Sequence, residues 1–176
     1  MLEAQGLKGG GRAFQVGGPR VRLRLLVEGN LAAFEGWFGR ALGLSPAESA
    51  AKLARLWEES VSDASRWLLA VSEGPAPPAG IVACRVPWPS SGWLTFELAV
   101  LAEETRGRGL ALEAVTVIER EARARGLADA FAAPVEAEFG RAVYFWLRLG
   151  YRPVLRSQLP WPDRGGADLW VVRDRP

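Results

Sequence analysis

Residues 93–125 read WLTFELAVLAEETRGRGLALEAVTVIEREARAR, and the rest of the predicted fold is arranged around them. Residues 93–101 are bulky and contain neither Gly nor Pro, which favours a β-strand. After the turn, Leu110, Ala114 and Ile118 recur at helical spacing and predict a long amphipathic helix. The unit therefore reads strand, short basic glycine turn, helix.

The turn between the strand and the helix is RGRGLA, residues 106–111. Glycine adopts positive φ at little cost and lets a ligand approach the backbone closely. The N–H groups in the first turn of a helix carry partial positive charge and lack helical partners. With Arg106 and Arg108 beside them, they predict an anion site suited to a phosphate or pyrophosphate. The alternative for these six residues taken alone is a loop and helix start with two solvated arginines.

Composition places the chain among ordinary globular proteins and excludes several kinds of chemistry. The 176 residues are 49% hydrophobic and 24% charged, which fits one domain with a sizeable core. A net charge of +2 is too small an excess to indicate general nucleic-acid binding. No run approaches the ~20 apolar residues that cross a bilayer. Residues 1–11 lack an apolar signal-peptide core, so the sequence predicts a cytoplasmic protein without membrane attachment.

The absence of histidine is the strongest exclusion. It removes Ser-His-Asp and Cys-His catalysis and every histidine metal site. The single cysteine, Cys84, excludes an intrachain disulfide and a cysteine-cluster zinc site. Cys84 lies in an apolar run, which favours a buried thiol over a nucleophile. We therefore expect no metal.

On both sides of residues 93–125, periodicity and turn residues predict a single mixed α/β domain. Residues 1–19 are glycine-rich and read as a flexible tail, which leaves residues 20–176 as the domain. The order β-α-α-β-β-β-α-β-α-β-β implies a sheet of about seven strands with helices on both faces and a parallel crossover through the long helix. The expected strands are 20–27, 66–72, 80–86, 93–101, 128–135, 151–159 and 168–173, and the expected helices are 30–42, 45–61, 110–125 and 139–149.

Two helix starts carry capping signals. Asn30 is the expected N-cap of the first helix. The sequence Ser45-Pro46-Ala47-Glu48 matches a capping box with Pro at the first helical position, so it predicts the start of the second helix.

Element order and turn together resemble the GCN5-related N-acetyltransferases (GNAT), over about residues 21–173. The segment Arg106–Ala111 matches that family's acyl-CoA pattern [RQ]-x-x-G-x-[GA]. A second match, Ala142-(x3)-Trp146-(x3)-Gly150-Tyr151, is similar to the closing motif A-x3-Y-x3-G-[FY]. The resemblance implies an acetyl-CoA-dependent N-acetyltransferase with direct transfer to a primary amine.

The resemblance also implies where the cosubstrate would bind. The pyrophosphate of coenzyme A would sit on the backbone N–H groups of Arg108–Ala111, with the arginines nearby. Pantetheine would pair with the backbone around Ala99 and Val100, where the fourth and fifth expected strands splay apart. The binding residues implied in this way are Ala99, Val100, Arg106, Gly107, Arg108, Gly109, Leu110 and Ala111.

Direct transfer needs a base for the amine and gains from an acid for the thiolate. Only about one lysine-like amine in a thousand is neutral at pH 7, because its pKa is ~10.4. Glu97, within the fourth expected strand, is the candidate base. The alternative is that Glu97 is a polar residue on a solvent-exposed face of the sheet or an ion-pair partner in the core.

The candidate acid is where the chain departs from the family. Trp146 occupies the position at which members often carry a tyrosine that acts as the general acid. Phe139 replaces an asparagine often seen seven residues earlier. Tyr144 is the candidate substitute, although it lies about 200° around the helix from Trp146. Water is the other possible proton source.

Two other functions are compatible with the sequence. One is an acyl-CoA-binding protein of the same fold with weak or no transferase activity, and the other is a nucleotide- or phosphate-binding module. For the enzyme, the acceptor is an amine on a small molecule or a protein. The last two expected strands could pair across the interface of a homodimer.

Overall fold

The computed structural model describes residues 15–136, 140–155, 157, 159, 161 and 169–173. These residues form a mixed α/β fold with eight strands in one sheet. The strands are β1 (Gln15–Gly17), β2 (Val21–Leu25), β3 (Arg66–Glu73), β4 (Gly80–Arg85), β5 (Gly92–Leu101), β6 (Ala128–Val135), β7 (Arg152–Leu155) and β8 (Leu169–Arg173). The helices are α1 (Ala32–Leu42), α2 (Pro46–Ser62), α3 (Leu110–Ala124) and α4 (Gly140–Arg148), with short 3-10 helices at Glu28–Asn30 and Glu103–Thr105.

The strand order is β1-β2-β3-β4-β5-β6-β8-β7. β5 and β6 are parallel, with Leu94 opposite Phe131, and α3 connects them as the sequence predicts. β8 is antiparallel to both β6 and β7. The predicted mixed sheet and its parallel crossover are therefore confirmed, with one strand more than expected.

The extra strand is β1, which lies inside the segment that the sequence assigns to a tail. It pairs antiparallel with β2, Gln15 opposite Arg24. β1 has only three residues and ends in a glycine, so its sequence carries no periodicity. Only the backbone ladder to β2 defines the strand. Residues 1–14 of the expected tail lie outside the described residues.

Two other element boundaries differ from expectation. Asn30 does not cap α1, because it belongs to the 3-10 helix that precedes Leu31, and the start of α1 has no side-chain cap. β7 ends at Leu155 rather than at residue 159. The capping box of α2 is confirmed, because Ser45 accepts a hydrogen bond from the Glu48 N–H while the Glu48 carboxylate accepts one from the Ser45 N–H.

The described chain divides into two compact units. The first contains the residues up to Cys84 together with Leu98–Val117, and the second contains Arg85–Glu97 with the residues from Ile118 onward. Each unit buries its own apolar cluster. The first cluster comprises Leu26, Phe34, Phe38, Leu53, Leu68, Ala70, Ile81, Ala83 and Val100, and the second Ala132, Val154, Trp161, Trp170 and Val172.

Candidate functional site

The basic glycine turn lies between the 3-10 helix Glu103–Thr105 and α3. Gly107 and Gly109 adopt φ values of 73° and 78°, which side chains rarely tolerate. The hydrogen bond that opens the α3 ladder runs from the Glu113 N–H to the Gly109 carbonyl, at 3.0 Å. The residues between Gly109 and Glu113 come before that bond in the chain, so their N–H groups have no partner within the helix. The turn therefore has the backbone geometry of an anion site.

Arg106 supports the turn through contacts with backbone carbonyls. Its Nε donates to the carbonyl of Leu101 at 3.2 Å, and its Nη2 donates to the carbonyl of Ala41 at 3.1 Å. A third contact joins Nη1 to Glu103 at 3.5 Å. These contacts tie the end of α1 and the end of β5 to the turn, a role that the sequence pattern does not reveal.

Arg108 is paired with a carboxylate at the end of β3. Its Nη2 lies 2.8 Å from Oε1 of Glu73 and 2.6 Å from Oε2. Half of the Arg108 side chain is exposed, so the guanidinium can be reached by a ligand.

Arg20 is a cation near the turn that sequence reasoning misses. Its Nη2 lies 3.2 Å from the position that a Cβ on Gly109 would occupy. Its backbone N–H donates to Oε1 of Glu113 at 2.7 Å, and its Nε donates to Oε2 at 3.2 Å. Arg20 and Glu113 are 93 residues apart, so no local pattern could indicate this pair.

The Glu113 carboxylate in the first turn of α3 is held in its charged form. Partial burial would raise the pKa of Glu113, but hydrogen bonds from the N–H groups of Arg20 and Val21 and from the Arg20 guanidinium outweigh it and lower the pKa. Glu113 therefore joins the start of β2 to the start of α3.

The strand residues predicted for coenzyme and catalysis lie on the second half of β5. The ladder between β5 and β6 covers Gly92–Thr95 on β5. Leu98 and Val100 pack in the apolar cluster of the first unit. Because side chains alternate along a strand, Glu97 and Ala99 project from the opposite face, where both are half-buried.

Trp146 and Tyr144 occupy different environments on α4. Trp146 is buried, and its ring centroid lies 5.4 Å from that of Phe96 and 4.8 Å from that of Tyr151. The Tyr144 side chain is 63% exposed. The position that carries tyrosine in the family pattern is thus filled by a packed indole, while the nearby phenol faces solvent.

The chain's other tyrosine, Tyr151, is committed to a buried charge network. Its hydroxyl donates to Oε1 of Glu119 at 2.6 Å. Oε2 of Glu119 lies 2.9 Å from Nη1 of Arg173 and 3.7 Å from Nη1 of Arg123. Sequence reasoning misses Glu119, although its spacing from Val115 and Ala122 places it on the buried stripe of α3.

Burial sets the protonation of this network. Desolvation raises the pKa of Glu119, and the hydrogen bond from Tyr151 and the charges of Arg173 and Arg123 offset only part of that rise. Desolvation, followed by the charge of Glu119, raises the pKa of Tyr151. Tyr151 therefore keeps its proton, and its hydroxyl is occupied by the carboxylate.

Within the ranges that the structure describes, no group of three or more Cys, Asp or Glu side chains is arranged to hold a metal ion. None of the helices in those ranges has the length and apolar character of a membrane span.

Comparisons with known proteins agree on the fold. A family model described as "Acetyltransferase (GNAT) family" matches residues 31–151. No curated protein sequence matches the chain.

Solved structures of acetyltransferases superpose on most of the chain. An acetyltransferase from Thermus thermophilus has a TM-score of 0.66 at 21% identity, with 88% of this chain and 96% of that chain covered. The ribosomal L7/L12 alpha-N-protein acetyltransferase RimL has a TM-score of 0.73 at 12% identity, with 96% and 98% covered. The PaiA N-acetyltransferase from Thermoplasma acidophilum, solved with coenzyme A, has a TM-score of 0.65 at 13% identity, with 88% and 98% covered. At these identities the likeness concerns the fold.

The buried network makes a testable contribution to stability. Tyr151→Phe keeps the ring against Trp146 but removes the hydrogen bond to Glu119. Because that bond favours the charged carboxylate, we expect a loss of about 1.5–3 kcal/mol in the free energy of unfolding at pH 8. The native pKa of Glu119 is raised, so the native state binds more protons than the unfolded state above the unfolded pKa. Wild-type stability should therefore fall as pH rises through the native pKa.

Urea unfolding of both proteins from pH 4 to pH 8 checks this. The difference between them should widen as pH rises, because ionisation of Glu119 strengthens the bond that the variant lacks. Tyr144→Phe is the matched control, since its phenol is exposed, and it should change the free energy of unfolding by less than about 0.5 kcal/mol. Equal stability of Tyr151→Phe and wild type at pH 8 would contradict the role given to the buried hydroxyl.

Proposed function

The chain belongs to the acetyltransferase (GNAT) family, and we propose that it transfers the acetyl group of acetyl-CoA directly to a primary amine through a tetrahedral intermediate. The observation that carries the proposal is the turn between β5 and α3, with its two positive-φ glycines at the N-terminus of a 15-residue helix. The proposed acetyltransferase domain is residues 20–176, and a cytoplasmic location and a homodimer remain predictions from the sequence.

We assign the diphosphate of coenzyme A to the backbone N–H groups of Arg108, Gly109, Leu110 and Ala111. Positive φ at Gly107 and Gly109 supports this assignment, because it lets an anion approach the first turn without meeting a Cβ. Arg108 can leave Glu73 for the diphosphate, since both side chains are partly exposed. Arg106 serves as the support that holds the turn in place.

We assign pantetheine to the second half of β5, with backbone pairing at Ala99 and Val100. The ladder of β5 with β6 covers Gly92–Thr95, and Ala99 lies beyond it. An extended pantetheine arm can pair with such a backbone as an added strand does. A backbone N–H near this point can also stabilise the oxyanion of the tetrahedral intermediate.

Glu97 is the proposed general base. It is half-buried and lies two residues before Ala99 on the same face of β5, so the base and the proposed pantetheine segment follow each other on one strand. A carboxylate there can take the proton of the ammonium directly or through one water. The neutral amine then bonds to the thioester carbonyl carbon and gives the tetrahedral intermediate. The nitrogen loses its second proton and the carbon–sulfur bond breaks as this intermediate collapses, which leaves the amide and the thiolate of coenzyme A.

Protonation of the thiolate is the remaining step. Tyr144 is exposed, and Tyr151 is held by Glu119. An alkyl thiol such as that of cysteine has a pKa of about 8.5, so its thiolate is a competent leaving group that water protonates near neutral pH. We therefore assign the proton mainly to water, with a small contribution from Tyr144.

The acceptor is proposed to be a primary amine on a small molecule or a protein. The structural relatives include an acetyltransferase of a ribosomal protein. Since Trp146 fills the position of the usual tyrosine, the alternative is an acyl-CoA-binding protein with weak or no transfer.

Turnover of acetyl-CoA with a panel of amines separates these two functions. The panel includes polyamines, amino-acid derivatives and peptides with free N-termini, and each reaction is followed by thiol release and mass spectrometry. We expect an acetylated product from at least one acceptor. Tight binding of acetyl-CoA with no product from any acceptor would overturn the transferase proposal and leave the binding protein.

Gly109→Asp tests the diphosphate site. It adds bulk and a negative charge where the anion is proposed to bind, so we expect coenzyme A affinity to fall by at least 100-fold. Isothermal titration calorimetry measures the affinity, and the unfolding curve of the variant reports whether it folds. ATP and NAD are titrated in parallel, because equal stabilisation by these nucleotides would favour a general nucleotide-binding module.

Gly126→Asp is the matched control for backbone strain. Gly126 has a φ of 65°, and no atom lies within 4 Å of the position of its Cβ. It carries the same substitution at the other end of α3 and should leave coenzyme A affinity unchanged. If Gly109→Asp also bound coenzyme A like the wild type, the diphosphate site would have to lie elsewhere.

Glu97→Gln tests the base. Loss of a general base typically costs 10²–10⁴-fold, so we expect kcat/KM for the amine to fall by about 100-fold at pH 7. The deficit should shrink as pH approaches the pKa of the amine, because free base then no longer has to be generated by the enzyme.

The pH–rate profile from pH 6 to 10 checks the base, with Glu28→Gln as the control. Glu28 is an exposed carboxylate outside the proposed site, and its variant should follow the wild-type profile. Tyr144→Phe in the same assay should lose less than threefold in kcat. A Glu97→Gln profile that matches the wild type at pH 7 would assign Glu97 a structural role.

A further inference from the structure

Residues 18–20, the segment just before β2, lie outside residues 31–151, the part that matches the family model. This segment nevertheless contacts the glycine turn. Arg20 lies over Gly109, with Nη2 at 3.2 Å from the position of a Cβ on that glycine. Any ligand seated on the first turn of α3 therefore has this guanidinium beside it.

Three hydrogen bonds to one carboxylate fix the start of this segment. Glu113 accepts from the backbone N–H groups of Arg20 and Val21 at 2.7 and 3.0 Å, and from Nε of Arg20 at 3.2 Å. Gly18 packs so closely on the same carboxylate that a Cβ there would overlap it. The position of Arg20 is thus set by its backbone and its Nε together, and does not depend on a flexible surface contact.

Among the described residues, nothing occupies the two terminal nitrogens of Arg20, so a ligand can use them. Within residues 15–136, neither Nη1 nor Nη2 of Arg20 has a hydrogen-bond or ion-pair partner, since Nε makes the side-chain contact with Glu113. The side chain is 50% exposed, which leaves that end of the fork open to solvent. A guanidinium presents several donors in a rigid plane and binds phosphate oxygens in pairs.

The charges around Gly109 balance in the absence of ligand. Arg20 is paired with Glu113, and Arg108 is paired with Glu73. The site therefore carries no net charge from these four residues. A diphosphate brings negative charge to it, and the two partly exposed guanidinium groups can supply the donors that this charge needs.

We propose that Arg20 is a diphosphate-binding residue beside the first turn of α3 and that it selects ligands carrying an organic diphosphate. The inference rests on the proposed function, because it takes coenzyme A as the ligand of the turn. It goes beyond the family pattern, since the segment that carries Arg20 is not part of the matched region. Loss of Arg20 should weaken binding of intact coenzyme A and should leave a diphosphate-free thioester unaffected.

Arg20→Gln tests the proposal with two ligands, acetyl-CoA and S-acetylpantetheine, which lacks the diphosphate. We expect the Kd for acetyl-CoA and its KM to rise about tenfold, with kcat at saturation unchanged. The KM for S-acetylpantetheine should stay at the wild-type value. Arg20→Lys, which keeps the charge but loses the planar fork, should recover part of the affinity.

Arg24→Gln is the matched control, since it removes the same charge from the exposed side of β2, and it should behave as wild type with both ligands. Equal loss with acetyl-CoA and S-acetylpantetheine in Arg20→Gln would show a general structural effect and overturn the inference. Unchanged acetyl-CoA affinity in Arg20→Gln would overturn it as well, while leaving the proposed function intact. Failure of the wild-type protein to bind acetyl-CoA would overturn both.

Discussion

Positive φ at two backbone positions before α3 is the constraint on which the rest of the site depends. Gly107 and Gly109 turn the chain into α3, and the N–H groups of a helix's first turn have no partner within the helix. A side chain at either position would be strained, and at Gly109 it would also meet Arg20. The helix dipole by itself contributes only about 0.3–1 kcal/mol, up to ~2 in a partly buried site, so tight anion binding needs the surrounding cations as well.

The arginines around the turn divide into two kinds that the sequence cannot tell apart. Arg106 donates to the carbonyls of Ala41 and Leu101 and thereby holds the turn on its own unit. Arg20 and Arg108 pair instead with carboxylates, and about half of each arginine side chain is exposed, so that a ligand can reach it. Moving Arg106 would leave two backbone carbonyls without these hydrogen bonds, whereas an exposed ion pair is worth little. Arginine thus supports the turn at one position and is proposed to bind the ligand at the other two.

Local patterns explain which features the sequence could predict. β5, the turn and α3 follow each other along the chain, and the capping box of α2 spans four residues, so periodicity and spacing define them. Arg20 and Glu113 are 93 residues apart, and Tyr151 and Glu119 are 32 apart, so only the folded chain brings them together. The sequence does not predict strand β1 for a related reason. Its pairing with β2 defines it more than its three residues do. Glu119 does have a local signal in the sequence, because it is an acidic residue on the apolar stripe of α3.

In the proposed transfer, few side chains of this chain are suited to protonating the thiolate. There is no histidine and there are two tyrosines. Burial and Glu119 raise the pKa of Tyr151 and occupy its hydroxyl, and Tyr144 is turned toward solvent. A thiolate with a pKa near 8.5 departs without an acid, whereas an ammonium with a pKa near 10.4 cannot attack until it loses its proton. In the proposed reaction, the barrier that the protein must lower is therefore deprotonation of the amine, and a carboxylate such as the proposed base Glu97 is the type of group that can do so.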